Sequence, residues 1–231
     1  MKNRVELMGH YGCDLIHATS AWTSTSRELN KEKIERIPNL LAMLAKEGHH
    51  TPFEKSSLHF LVTVDQATHI HLLKHRIGVS INGESARYKE LKEDKTYLPE
   101  DFRGIPLSQD LYLHDNYSDD ELSWKVNADD WYQVMEEFTD IANYLYHKCL
   151  EDLTPILGRK RAKESARFFK TFNSQITMDV MFNWRSFYHF QQLRNSEHAQ
   201  LEVRKLAQQM LDLVKNIEGN PFKHTIKAFE L

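Results

Sequence analysis

The stretch SLHFLVTVDQATHIHLLKHRIGVSINGESARYKE, residues 57–90, contains the change of period from which the fold is read. Leu58, Phe60, Val62 and Val64 occupy alternate positions, the spacing of a strand with one buried face. Asp65 is a ready N-cap for a helix over residues 66–75, whose apolar positions are Ile70, Leu72 and Leu73. A strand therefore delivers a helix whose end carries Lys74, His75 and Arg76, three potential cations. Beyond them the chain turns polar, with Ser80, Asn82, Glu84, Ser85, Arg87 and Lys89 around the small Gly78 and Gly83. Arginine and lysine bind phosphate oxygens, arginine as a two-pronged fork, and glycine lets backbone N–H groups approach. One segment thus has the chemistry to hold phosphorylated ligands, although composition alone favours a solvated charged loop.

Working outward, residues 1–30 show little periodicity, and residues 31–46 carry Ile34, Leu40, Leu41, Met43 and Leu44 ahead of Gly48. Pro38 near the start and Gly48 past the end predict a short helix over residues 39–46. Downstream, Pro99 and Pro106 among Asp, Asn and Ser predict a surface excursion over residues 97–127, either a lid or a plain loop. Trp131, Val134, Met135, Phe138, Ile141, Ala142, Tyr144, Leu145 and Cys149 then form the apolar stripe of a long helix, capped by Asp129 or Asp130 and read as core packing. A helix over residues 159–169, a strand over 175–182, and helices over 183–193 and 197–217 complete the reading. The glycines include no GxGxxG, which sets aside a Rossmann dinucleotide site. The expected class is α+β, a single domain over residues 1–231 with a central, mainly antiparallel sheet flanked by helices.

Composition narrows the function classes. The 231 residues, 41% hydrophobic, suffice for one sizeable core. A formal net charge of -3 offers no global basic field, so no nucleic-acid partner is expected. The two cysteines, Cys13 and Cys149, form no CxxC pair, which argues against a disulfide scaffold or a zinc site and suits a reducing cytoplasm. No apolar run reaches the roughly 20 residues of a membrane span, and the first ten residues lack the build of a secretory signal. A soluble cytoplasmic protein is expected, in the host cytoplasm if the chain is viral. The 13 histidines include no HExxH, and His69 and His71, two apart, do not share a helix face, so no metal site is expected.

The order of residues 74–90 resembles the signature of the flavin-dependent thymidylate synthases (ThyX family): Arg-His-Arg, seven arbitrary residues and Ser, usually continuing through Asn-Glu and ending in Arg-Tyr. Lys74 replaces the first arginine, and eight residues separate Arg76 from Ser85. Either Gly83 takes the place of the usual glutamate, or Glu84 supplies that carboxylate after a local bulge. Upstream, GHHTPFE at 48–54 is similar to the family's His-x-Thr-Pro-Phe-Glu segment, and it also reads as a helix start in which Thr51 caps and Glu54 completes a capping box. Downstream, NWRS at 183–186 and LRNSEHAQLE at 193–202 resemble its closing motif, although Ser196 reads equally as the cap of the last helix. The resemblance spans roughly residues 49–217.

That resemblance implies the family's fold and a homotetramer whose flavin sites are shared between subunits. It implies reductive methylation of dUMP to dTMP, with methylenetetrahydrofolate as carbon donor, reduced FAD as hydride source and NADPH as reductant. FAD would be met by His49, Thr51, Glu54, Lys74, His75, Arg76, Glu84, Asn183, Arg185, His189 and His198, with His189 standing where an asparagine is common. The nucleotide would be met by His71, Lys74, Gly83, Glu84, Ser85, Ala86, Arg87, Thr177 and Arg194, with Thr177 where the family offers an arginine. Arg194 would be catalytic, its permanent charge favouring an ionised uracil. Neither cysteine lies in a motif that suggests the activated thiolate of ordinary thymidylate synthases. Two rivals remain open: a methylase or hydroxymethylase of another pyrimidine nucleotide such as dCMP, and a single-stranded nucleic-acid module using residues 74–92 with Tyr88 for stacking.

Overall fold

The computed structural model describes residues 1–109 and 128–231, and between them the backbone of two short strands. In chain order the elements are β1 (Arg4–Tyr11), α1 (Asp14–Trp22), α2 (Lys31–Lys46), β2 (Ser57–Asp65), α3 (Gln66–Leu73), β3 (Val79–Gly83), β4 (Tyr112–His114), β5 (Ser123–Lys125), α4 (Trp131–Ala166), β6 (Gln175–Phe182), α5 (Trp184–Arg194), α6 (Leu201–Lys215) and α7 (Lys223–Ala228). They fall into two compact units, one of residues 3–84 with 176–231, the other of residues 1–2 with 85–175.

In the first unit the alternation of β2 has the predicted effect: Leu58, Phe60, Val62 and Val64 are fully buried, and Ile176, Met178, Val180 and Phe182 of β6 repeat the pattern. The sheet runs β1-β2-β6-β3, with antiparallel pairing of β1 to β2 and of β3 to β6. Its buried side shares one core with Leu72 of α3, Trp184, Phe187 and Phe190 of α5, and Val203, Leu206 and Met210 of α6. This is the expected α+β class. Asp65 caps α3 as anticipated, its side chain accepting from the Thr68 amide at 2.8 Å.

Several boundaries differ from the sequence reading. Residues 1–30 hold a strand and a helix; β1 is an edge strand whose inward Val5 and Leu7 are only partly buried, so its pattern is faint. α2 starts at Lys31, eight residues early, because Asn30 caps it and Lys33 Nζ binds the Ser26 and Glu28 carbonyls. Pro38 therefore lies inside that helix, where it forgoes one amide donor. The polar segment contains β3, whose pairing to β6 rests on backbone groups. The last long helix begins at Leu201; Ser196 instead accepts from the His198 amide at 3.3 Å.

In the second unit Asp130 caps α4, accepting from the Gln133 amide at 2.9 Å, and Gly158 at φ 75° interrupts the helix near the expected break. The stripe read as core faces outward in part: Phe138, Ile141 and Tyr144 are exposed, while Thr139, Ala142, Tyr146 and Leu150 are buried. Periodicity marks an apolar face without saying what covers it. The expected excursion at 97–127 is described only to residue 109, apart from β4 and β5; there a 3₁₀ turn spans Glu100–Phe102, and Gly104 donates to Asp130 at 2.7 Å. The rest lies outside the described residues. Among the described residues no helix is long and apolar enough to cross a membrane.

A buried polar chain fastens α1 to α7 in the first unit. Asp14 accepts from the amides of His224 and Thr225 and from the Thr225 hydroxyl, at 2.8, 2.8 and 2.6 Å. That hydroxyl has spent its one hydrogen, so at 2.9 Å it accepts from His17 Nδ1, and His17 Nε2 accepts from Ser56 Oγ at 2.8 Å. His17 is fully buried and neutral, its pKa lowered to about 4 by burial. The unfolded chain protonates this group below its ordinary 6.5, the folded one only near 4. Stability gained from the neutral form is thus complete above pH 6.5 and is lost as the pH falls toward 4, on the order of 3 kcal/mol. Urea unfolding at pH 7 and pH 4.5 should show this loss in the wild type and a smaller loss in His17→Gln; equal losses in both would assign the acid sensitivity elsewhere.

Candidate functional site

The end of α3 is stitched to the start of α5. Asn183 caps α5, accepting from the Ser186 amide at 2.9 Å, and its own amide donates to the Gly78 carbonyl at 3.0 Å. Ser186 Oγ donates to the Ile77 carbonyl at 2.6 Å. Gly78 sits at φ +65°, and a Cβ there would lie 2.3 Å from Asn183 Nδ2 and 2.4 Å from Ser186 Oγ. Only glycine fits so close an approach in that conformation.

This stitch forms one side of a cleft of about 410 Å³. Arg185, Tyr188, His189 and Gln192 of α5 line it, the i, i+3, i+4, i+7 positions of one helical face. Lys74, His75, Arg76, Ile77 and Val79 form a second wall, and His50 and Glu54 a third. Tyr188 packs on Phe229 at 4.4 Å and meets His50 edge-on at 6.0 Å, giving the cleft an aromatic wall. Glu54 Oε1 pairs with Arg185 Nη1 at 2.5 Å. Lys74 and Arg76 are exposed and have no carboxylate partner among the described residues. A second groove of about 560 Å³, lined by Tyr11, Ser56, Ser80 and Met181 among others, shares Glu54, Val79 and Asn183 with the cleft.

His75 is the buried member of the wall, with Phe190 edge-on at 5.1 Å. Burial lowers its pKa to about 4, and the charge of Arg194, then His189 and His71, act in the same direction. Arg194, in the last turn of α5, donates from Nε to His75 Nε2 at 3.0 Å.

Of the residues singled out from sequence, the cleft gathers Glu54, Lys74, His75, Arg76, Asn183, Arg185 and His189, with Arg194 joined through His75. The others lie elsewhere. His49 and Thr51 are exposed beside the cleft residue His50, and His71 Nε2 contacts Gln200 Oε1 at 3.0 Å. His198 is exposed. Gly83 ends β3, and Glu84 clasps Thr177 of β6 twice: its carboxylate accepts from the Thr177 amide at 2.9 Å, and its amide donates to the Thr177 carbonyl at 2.8 Å. The Thr177 hydroxyl lies 3.0 Å from that of Thr63. Ser85, Ala86 and Arg87 belong to the other unit, where the Ser85 carbonyl accepts from the Tyr88 and Lys89 amides and Arg87 Nε pairs with Glu164 at 2.5 Å. His50, Tyr188, Ser186 and Gln192 escaped the sequence reading. Helical spacing from Arg185 would have found Tyr188 and Gln192; the motif resemblance points to His49, and its neighbour His50 lines the cleft.

A family model described as "Thymidylate synthase complementing protein" matches residues 6–218. A flavin-dependent thymidylate synthase of Thermosipho africanus is 30% identical over 181 residues, 78% of this chain and 73% of that one. One of Streptomyces avermitilis is 26% identical over 218 residues, 91% of this chain and 82% of that one. Among solved structures, a UMP/dUMP methylase, PolB of Streptomyces cacaoi bound with 5-Br UMP, is similar with a TM-score of 0.71 at 25% identity, covering 99% of this chain and 94% of that one. The chain belongs to the thymidylate synthase complementing protein family.

Because Gly78 combines a positive φ with two sub-contact distances, Gly78→Ala should lower stability by about 1–3 kcal/mol. A denaturant titration reads this directly; an unchanged midpoint would mean that the stitch between residues 77–78 and α5 yields without cost.

Proposed function

We propose that this protein is a flavin-dependent methylase of a uridine-type nucleotide, converting dUMP to dTMP with methylenetetrahydrofolate as carbon donor and NADPH as reductant. The observation that carries the reading is the pair of cations without carboxylate partners among the described residues, Lys74 and Arg76, at a cleft with an aromatic wall, in a chain of this family. The relatives named flavin-dependent thymidylate synthases support it.

The residues of the cleft fit FAD in their chemistry. Lys74 and Arg76, exposed and without a carboxylate partner among the described residues, can neutralise a pyrophosphate, and the Tyr188 and His50 rings offer a surface for a planar ring system. In this cleft the residues would hold a reduced flavin, whose chemistry would be the supply of a hydride to complete the methyl group. Glu54 holds Arg185 in place, and Asn183 and Ser186 hold the backbone between the cations and α5. Arg194 carries a permanent charge beside the cleft, suited to stabilising a uracil ionised at N3, which is electrostatic rather than acid–base catalysis. Neither Cys13 nor Cys149 lines the cleft, so the chain offers no thiolate there to add to the ring. We keep His49, Thr51, His71, Glu84, Thr177 and His198 as candidate ligand contacts in the assembled enzyme, and Ser85 to Arg87 as a candidate phosphate-binding turn. The assembly we propose is a homotetramer, supported by the exposed apolar face of Phe138, Ile141 and Tyr144 on α4.

A second reading concerns the sugar. The likeness to PolB, described as a UMP/dUMP methylase, supports UMP as an additional or alternative substrate. Anaerobic incubation of purified protein with FAD, NADPH, methylenetetrahydrofolate and dUMP, UMP or dCMP separates the cases by nucleotide mass. A methyl gain on dUMP is expected; methylation of UMP alone would move the assignment to the ribonucleotide, and modification of dCMP alone would overturn the uracil reading. In the same assay, activity per chain should vanish when dilution dissociates the oligomer, and undiminished activity of monomers would refute a shared site.

A further inference from the structure

The His75–Arg194 contact has a direction. An arginine Nε always carries a hydrogen and never accepts, so at 3.0 Å the acceptor is His75 Nε2. The ring is therefore neutral, with its proton on Nδ1. Its surroundings favour that state: the residue is 8% exposed, Phe190 lies edge-on, and the neighbouring titratable groups, Arg194, His189 and His71, all disfavour a second positive charge. Among the described residues no carboxylate hydrogen-bonds to this ring or to Arg194.

Resting on the reading of Arg194 as the group that stabilises an ionised uracil, we propose that His75 is a positioning residue, whose neutral Nε2 holds the Arg194 guanidinium in the orientation that meets the nucleotide. A bond at Nε leaves both Nη groups, the two-pronged edge, for the ligand. An arginine without such an anchor must surrender side-chain freedom on binding, which weakens the complex. The choice of acceptor matters as much as its presence. A carboxylate at this position would hold the guanidinium equally well and cancel the charge that acts on the ring; a neutral imidazole supplies the geometry and leaves the charge whole. His75 thus acts on the substrate through Arg194, with its own polar atom turned to the arginine.

The test uses the FAD-loaded protein and compares His75→Leu, which removes the acceptor, with His75→Gln, which keeps a neutral one. Calorimetry with dUMP should show affinity weakened about tenfold or more in His75→Leu and restored to within about threefold of wild type in His75→Gln. Flavin content and melting temperature should match between the two variants. Arg194→Lys lacks Nε, so adding it to His75→Leu should cost less than it does in the wild-type background. Equal dUMP affinity in His75→Leu and wild type, or additive losses in the double variant, would overturn the proposal. A nitrogen-15 spectrum gives a nucleotide-independent reading: the Arg194 Nε–H signal should be protected from exchange in wild type and His75→Gln and unprotected in His75→Leu. If wild type binds no dUMP, the nucleotide assignment fails, and this spectrum still decides whether His75 anchors Arg194; protection unaffected by His75→Leu would refute it.

Discussion

The contact on which the site depends is the set of hydrogen bonds between the backbone at Ile77 and Gly78 and the first turn of α5. Asn183 performs two tasks at once, capping the helix through its side chain and donating to the Gly78 carbonyl through its backbone amide, and Ser186 Oγ adds a third bond by donating to the Ile77 carbonyl. A helix start has unsatisfied amides and a loop has unsatisfied carbonyls. Joining them satisfies both and leaves no room for a Cβ at residue 78. From that join follow the direction of α5, the face it presents, and the placing of Lys74 and Arg76 opposite Arg185 and His189.

Charge is distributed around the cleft unevenly. Glu54 compensates Arg185, while Lys74 and Arg76, both exposed, have no carboxylate partner among the described residues. Two buried histidines, His75 in the cleft wall and His17 between α1 and α7, are both held neutral by burial. Each lies in a polar chain of defined donor direction, His17 toward Thr225 and Asp14 and His75 accepting from Arg194. A buried imidazole that were charged without an anionic partner would be costly, and these networks hydrogen-bond each ring in its neutral form.

The second unit follows a different plan. Its small core around Tyr146, Leu150, Ala162 and Ala166 is supported by the buried ammonium of Lys170, which meets Asp94 at 2.5 Å and Asn143 at 2.7 Å above the Tyr146 ring. Arg87 and Arg159 are paired with Glu164 and Glu90, so much of the positive charge in this unit is locally balanced. That balance weakens the case for a nucleic-acid strip along residues 74–92, because phosphate binding needs cations that are free to exchange counterions.

Strong local signals were legible in the amino-acid order. The alternation of Leu58 to Val64, the Asp65 cap and the repeat of Ile176 to Phe182 determined two central strands and the helix between the motifs, because burial of one sheet face imposes a period of two. Motif order determined the family and seven members of the cleft. Tertiary structure decided the rest. β1 and β3 are edge strands whose alternating Val5 and Leu7, and Val79 and Ile81, are only partly buried, so their period is faint, and Asn30 outweighed Pro38 in placing the start of α2. The difference between His49 and His50, the commitment of Thr177 to Thr63 and Glu84, and the bond from Arg194 to His75 arise between residues far apart in the chain. Such contacts depend on where whole elements pack, and packing is a property of the assembled core that neither propensity nor spacing encodes one segment at a time.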